Sequence, residues 1–128
     1  MTTPRSGILP PAILLDLDDT ILDDSGNVSH CWMEACVAHR AELGTTDPAT
    51  LHAAIERMRA WFWSDPGRHR EGRLDLDAAR RDVVRATLVE LGLERDGLAE
   101  RISEHYRDQR HRGLEPLEDA IDTVRWMR

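Results

Sequence analysis

The stretch Ala12-Ile13-Leu14-Leu15-Asp16-Leu17-Asp18-Asp19-Thr20 decides the fold. Four apolar residues run without interruption into a group of acids. A continuous apolar run of this length is typical of a strand that is buried on both faces of a parallel sheet. The segment Asp23–Asn27 that follows is rich in Asp, Ser, Gly and Asn, which predicts a turn. We therefore expect a short core strand followed by a reversal of the chain.

Beyond this turn the pattern changes from strand to helix. Apolar residues recur at helical spacing, and the segments that carry them are bounded by Gly, Pro and Asp. The predicted helices cover residues 28–43, 47–63, 75–91 and 96–112, with a polar loop over residues 64–73. Asp47-Pro48 predicts an N-cap followed by proline at the first helical position. Four successive amphipathic helices predict a four-helix bundle, and a fifth helix is predicted over residues 117–128.

Composition limits the classes of partner. The chain has 128 residues and a net charge of −7, which argues against a general surface for nucleic acid or for anionic membranes. No apolar run is long enough to cross a bilayer, so we expect a cytoplasmic protein without a membrane partner. The two cysteines, Cys31 and Cys36, are expected to be buried or half-buried free thiols, as free Cys usually is. A metal site at His30-Cys31 is not expected, because no second Cys/His pair follows at zinc spacing.

Three polar side chains, those of Asp16, Asp18 and Thr20, follow the predicted strand. Ligands bind at the carboxyl ends of strands in open α/β sheets. The order of the residues suits Asp16 to attack a phosphorus atom and form an aspartyl-phosphate, and Asp18 to act as general acid and then general base. The Thr20 hydroxyl would hold the turn or orient Asp18. A Mg²⁺ ion would offset the repulsion between the carboxylate and a phosphate.

The run from Ile13 to Leu22 resembles the first motif of the haloacid-dehalogenase superfamily, an apolar strand followed by Asp-x-Asp-x-Thr and a further apolar residue. The resemblance implies an α/β fold, in which a helical cap of the C1-capped type is inserted after the first strand of a Rossmann-like core. Residues 1–27 would then be the first core strand and catalytic loop, residues 28–113 the four-helix cap, and residues 114–128 the helix that returns to the core.

The resemblance also implies a reaction. Phosphatases of this superfamily have an acid at the position of Asp18, whereas the carbon–halogen hydrolases generally lack it. It therefore implies a Mg²⁺-dependent phosphatase that hydrolyses a small phosphorylated metabolite through an aspartyl-phosphate. The metal ligands would be the Asp16 carboxylate and the Asp18 backbone carbonyl.

Other parts of the family pattern have no counterpart in the sequence. The superfamily supplies a Ser or Thr on the second strand, a Lys and later acids, whereas this chain contains no Lys. We therefore expect the chain to stop before the rest of the parallel sheet and to have little activity by itself. Transfer of the phosphoryl group to an acceptor other than water would use the same nucleophile, and this alternative stays open.

Several structural interpretations compete with these assignments. The acids could form a solvated turn, whereas a calcium loop is excluded because Ile21 stands where an EF-hand needs Gly. Arg68, Arg70 and Arg73 would either contact an anionic part of the substrate or belong to a solvated loop.

The aromatic residues Trp32, Trp61, Phe62 and Trp63 would line a substrate pocket or, as is more usual on amphipathic helices, fill the core. A functional rival also stays open. The chain would then be a non-catalytic helical module that keeps the motif and serves binding or dimerisation, as a homo-oligomer.

Overall fold

The computed structural model describes residues 10–23 and 27–128. Its elements, in chain order, are β1 (Leu22–Asp23), α1 (Val28–Ala38), a 3₁₀ turn (Arg40–Glu42), α2 (Pro48–Ser64), α3 (Pro66–Gly72), α4 (Leu76–Glu90), α5 (Leu98–Arg112), β2 (Glu115–Pro116) and α6 (Ala120–Trp126). The described fold is mostly helical, with one small two-stranded sheet.

The chain divides into two compact units. One, here called the terminal unit, has residues 10–23 and 114–128 as its described parts, and the other, here called the helical unit, is Asn27–Gly113. The helical unit begins and ends close together, since a Cβ added at Gly113 would lie 2.6 Å from Asn27 Nδ2. That this unit is a cap stays a prediction.

The helical unit is built from four long helices in a closed ring. Helix α1 packs against α2 and α5, and α4 packs against the same two helices. The short helix α3 packs against α2 and α4. The sequence prediction of a helical bundle in this part of the chain is thus confirmed.

The core of the bundle consists of buried apolar side chains from all four long helices. Trp32 and Tyr106 stack at its centre, with ring centroids 3.8 Å apart and planes inclined by 12°. Both cysteines are buried and free, as predicted. Two buried hydroxyls are satisfied locally, since Thr87 donates to the Val83 carbonyl and Ser103 donates to the Ala99 carbonyl.

Helix α2 begins where the sequence predicts. The Asp47 carboxylate accepts a hydrogen bond from the Ala49 N–H at 3.1 Å, and Pro48 holds the first helical position. Helix α1 is shorter than predicted, because it ends at Ala38 and the chain continues as the 3₁₀ turn Arg40–Glu42.

The predicted polar loop over residues 64–73 is wrong, because most of it forms helix α3. The Asp65 carboxylate accepts from the Arg68 N–H at 2.8 Å, and Pro66 holds the first position. This is the same Asp-Pro start that begins α2. The Arg68 side chain then donates to the carbonyls of Trp61 and Phe62 at 2.8 and 3.2 Å, which satisfies acceptors at the end of α2.

The last residue of α3, Gly72, is packed against two aromatic rings. A Cβ at Gly72 would lie 2.8 Å from Phe62 Cε1 and 3.0 Å from Trp63 Cη2. We expect Gly72→Ala to lower the free energy of unfolding by about 1–3 kcal/mol, the usual cost of overpacking. Urea denaturation would measure it. The control Gly67→Ala meets only the Asp65 carboxylate oxygen that caps α3, at 3.1 Å, and a shift of a few tenths of an ångström in that side chain relieves the contact. An equal loss of stability in both variants would contradict this explanation.

The terminal unit differs from the sequence prediction. Residues 12–17 form neither helix nor strand, and their side chains are exposed, with Leu14 99% exposed. The sheet is instead antiparallel and pairs Leu22 with Pro116 and Asp23 with Glu115. The predicted core strand is therefore not formed, because no described segment pairs with residues 12–17 to satisfy their backbone groups.

Two further expectations concern this unit. The predicted turn over Asp23–Asn27 falls largely on residues 24–26, which lie outside the described residues. Helix α6 is shorter than the predicted helix over residues 117–128, and it begins after Asp119, which has a φ of +62°. No Rossmann-like parallel sheet is present within residues 10–23 and 27–128.

Candidate active site

The candidate active site is a tight turn that begins directly after Asp16. The Leu17 carbonyl accepts hydrogen bonds from the N–H groups of Ile21 and Leu22, at 3.0 and 2.9 Å. The Asp19 N–H donates to the Leu22 carbonyl at 2.7 Å. Three backbone hydrogen bonds thus hold residues 17–22 in one closed turn.

The conformation of Asp19 makes this turn possible. Its φ of +56° lies in the left-handed region, which Asp tolerates better than most residues do. The turn leaves the side chains of Asp16, Asp18 and Thr20 exposed. Backbone groups make the three hydrogen bonds that hold the turn. The carboxylates of Asp16 and Asp18 take no part in these bonds and are therefore available for chemistry.

A pocket of about 350 Å³ lies beside Thr20 in the terminal unit. Its lining residues are Leu15, Thr20, Ile21, Leu117, Glu118, Asp119, Ala120, Thr123, Val124 and Met127. Neither Asp16 nor Asp18 is among them, and no described cation lines this pocket. Since Glu118 and Asp119 contribute negative charge, the pocket does not suit a phosphate group.

A Mg²⁺ ion would have two oxygen ligands from this loop, the Asp16 carboxylate and the Asp18 backbone carbonyl. Among residues 10–23 and 27–128, no group of three or more His, Cys, Asp or Glu side chains is placed to hold a metal. Mg²⁺ commonly keeps several waters and binds through one or two carboxylates together with the phosphates of a substrate. Two exposed oxygen ligands, one from Asp16 and one from Asp18, are enough for such weak binding of Mg²⁺. They are too few for tight binding by the protein alone.

The three arginines singled out in the sequence belong to the helical unit and have different environments. The Arg68 guanidinium lies over the Trp61 ring, 3.8 Å from its centroid, and bonds the end of α2. Arg70 and Arg73 are exposed and line a separate pocket. Only the last two thus have side chains that are free to meet a ligand.

The structure also brings together three residues that sequence reasoning missed. His52 Nε2 lies 3.1 Å from Ser29 Oγ, 3.1 Å from the Ser29 carbonyl and 3.6 Å from Glu56 Oε1. A catalytic triad uses the two different nitrogens of its histidine, whereas all these contacts meet at one. The histidine therefore ties α1 to α2 rather than activating Ser29. No local sequence pattern indicates this contact, because 23 residues separate its partners.

Neither cysteine is a candidate nucleophile. Burial raises the pKa of the Cys36 thiol to about 12, and the negative charge of Glu56 adds to the effect. Burial also raises the pKa of Cys31, against the opposing effect of Arg110. Both thiols therefore stay protonated at neutral pH, and the thiolate is the reactive form.

The raised pKa of Cys36 predicts a loss of stability at high pH. Between its ordinary pKa of 9.0 and the folded value of about 12, the unfolded chain releases this proton and the folded chain keeps it. The contribution of Cys36 to the free energy of unfolding is therefore fully present below pH 9. It falls as the pH rises and is lower by about 1.4 kcal/mol at pH 10.

Urea denaturation at pH 8 and pH 10 would test this, with Cys36→Ala as the comparison. The variant should lose less stability than the wild type between the two pH values. It should still lose some, because burial also raises the pKa of Cys31 and Tyr106. Identical pH dependence in both proteins would contradict the assignment.

Comparisons of the chain with protein-family models, curated proteins and solved structures give no match. In the part of the chain that the structure describes, none of the helices combines the length and apolar character that crossing a membrane requires.

Proposed function

We propose that the turn after Asp16 is the nucleophilic part of a phosphohydrolase that acts on small phosphorylated metabolites. The observation that carries this proposal is the exposure of Asp16 and Asp18 on either side of Leu17, whose carbonyl is the anchor of the turn. The finer fold assignment is part of the proposal. Residues 12–15, which pair with no described segment, would form the first strand of a Rossmann-like core only against a partner strand, and the helical unit would be the cap of that core.

The chemistry divides between the two acids. An Asp16 carboxylate oxygen attacks phosphorus, the bond to the leaving oxygen breaks, and Asp18 gives its proton to that oxygen. Asp18 then takes a proton from water, which attacks the aspartyl-phosphate and releases phosphate and the Asp16 carboxylate. Thr20 helps to hold Asp18. A bound Mg²⁺ would supply positive charge against the repulsion between the carboxylate and the phosphate.

The expected substrate is small because of the proposed role of the helical unit. A cap that closes over a site excludes large substrates and bulk water. A small phosphate monoester fits such a site better than a phosphoprotein does.

The test is release of phosphate from a panel of small phosphate monoesters, with and without Mg²⁺. We expect slow release by this chain, because no described cation lines the pocket beside Thr20. Asp16→Asn should reduce it to the buffer background. Asp19→Asn is the matched control, since it removes the same charge from the same turn at a position where Asn tolerates the left-handed backbone.

A non-catalytic binding or dimerising module is the second candidate. Exposed apolar side chains in the terminal unit favour it, namely Ile13, Leu14, Leu15, Leu17, Ile121 and Trp126. Contiguous apolar surface commonly marks association. Concentration-dependent oligomerisation in sedimentation, together with phosphate release that never exceeds the Asp16→Asn background, would support this candidate and reject the phosphohydrolase.

Transfer to an acceptor other than water would share the nucleophile Asp16. Product analysis separates the two reactions, because hydrolysis yields inorganic phosphate and transfer yields a new phosphate ester. Added alcohols should leave the yield of inorganic phosphate unchanged if water is the acceptor.

A further inference from the structure

A concave surface of about 560 Å³ lies along helix α3, from its first residue to just beyond its last. Its lining residues are Pro66, His69, Arg70, Arg73 and Leu74. Three of the five carry basic side chains, and no described carboxylate is among them. In a chain with a net charge of −7, this is a local reversal of charge.

The two arginines of this pocket make no ion pair with a described residue. Arginines elsewhere in the helical unit do so, as in the pairs Arg59–Glu56 and Arg80–Asp77. Arg70 and Arg73 are exposed, so their guanidinium groups reach solvent without an acidic partner.

The backbone beneath the pocket is held in place. Helix α3 starts at the Asp65 N-cap and ends at Gly72, which packs against Phe62 and Trp63. The His69 ring meets the Trp63 ring edge-on, with centroids 5.5 Å apart. Of the nearest acids along the chain, Asp65 accepts a hydrogen bond from the Arg68 N–H, and Glu71 lines a different pocket.

We infer that this pocket, here called the α3 site, binds a small molecule that carries a phosphate group. Two guanidinium forks can each bond two phosphate oxygens, and the imidazole of His69 adds a third donor. Its volume lies within the range of about 300–1,000 Å³ that is usual for small-molecule sites, so it admits more than a phosphate ion. Pro66 and Leu74, which is 86% exposed, offer apolar contact to the rest of the ligand.

The inference does not depend on chemistry at Asp16. Its test is calorimetric titration of the full chain carrying Asp16→Asn, with EDTA present and ionic strength held constant, so that no hydrolysis occurs. The probes are inorganic phosphate and phenyl phosphate. Both should bind saturably, and phenyl phosphate more tightly, because its ring would contact the apolar residues. If inorganic phosphate bound as tightly as phenyl phosphate, a small-molecule ligand would be rejected in favour of a free phosphate ion.

The double variant Arg70→Gln/Arg73→Gln should weaken binding of phenyl phosphate at least tenfold. The matched control is Arg57→Gln/Arg95→Gln, which removes the same charge from exposed positions outside the α3 site. It should bind as the parent does, and circular dichroism should find both variants folded.

Three outcomes would overturn the inference. They come in addition to equal affinity for the two probes, and they are no saturable heat up to about ten millimolar probe, equal loss of affinity in the two double variants, and loss of binding on restoring Asp16, which would place the anion at the candidate active site. Absence of phosphate release by the wild-type chain would reject the proposed function and leave the α3 site untouched.

Discussion

Trp32→Ala should lower the free energy of unfolding by about 3–5 kcal/mol, the cost usually seen when a large aromatic side chain is deleted from a core. Trp32 is 1% exposed and stacks on Tyr106 at the centre of the bundle. Its removal costs the burial of the ring, leaves a cavity, and removes a ring contact of about 0.5–1.5 kcal/mol. Because Trp32 Nε1 has no hydrogen-bond partner in the described chain, the substitution breaks no hydrogen bond, and removal of this buried, unsatisfied donor offsets a part of the loss.

Urea denaturation followed by far-ultraviolet circular dichroism would measure this loss. Trp61→Ala is the matched control, because it deletes the same side chain from a position that is 56% exposed. The Arg68 guanidinium lies over the Trp61 ring, and exposed contacts of that kind contribute about 0.5–1 kcal/mol. Equal losses of stability in the two variants would show that Trp32 does not hold the core together.

The difference between these two tryptophans could not be read from the sequence. Both lie on amphipathic helices, and the sequence favours a core position for each. Trp32 is in the core, whereas the core interpretation is wrong for Trp61. Helical periodicity assigns a side chain to a face, but the burial of that face depends on which helix packs against it.

Local signals account for the parts of the fold that were predicted. The Asp47-Pro48 start of α2 rests on groups within three residues of one another. The start of α3 at Asp65-Pro66 has the same signal, and the loop-like composition around Gly67 obscured it. The failure over residues 12–17 is of another kind. A strand exists only where a partner completes its backbone hydrogen bonds, and no short-range pattern supplies that partner.

The candidate site follows the same division. The spacing of Asp16, Asp18 and Thr20 is visible in the sequence, and so is the turn composition. The sequence does not show the left-handed backbone of Asp19. It also does not show that the Leu17 carbonyl accepts two hydrogen bonds. The sequence also does not show that Arg68 differs from Arg70 and Arg73 in its contacts. That difference arises because Arg68 donates to carbonyls at the end of α2.

Asp18→Asn should trap the aspartyl-phosphate if the proposed division of labour is right. Attack by Asp16 on 4-nitrophenyl phosphate needs little help from an acid, because the leaving group is stable as an anion. Hydrolysis of the intermediate does need a base, and the loss of a positioned general base typically slows a step by about 10²–10⁴-fold. The phosphoryl group should therefore accumulate on the protein in Asp18→Asn and be nearly absent in the wild type.

Intact-mass spectrometry after an acid quench would detect the added phosphoryl group, and hydroxylamine should remove it, as expected for an acyl phosphate. The double variant Asp16→Asn/Asp18→Asn should carry none, because the nucleophile is gone. Asp19→Asn should behave as the wild type does, since Asp19 shares the turn but has no proposed part in the reaction. A phosphoryl group that persists without Asp16 would assign the attack to another residue and reject the proposed mechanism. A solvated turn without catalytic side chains would not explain a phosphoryl group that requires Asp16 and accumulates when Asp18 is lost. In such a turn neither carboxylate would take part in phosphoryl transfer.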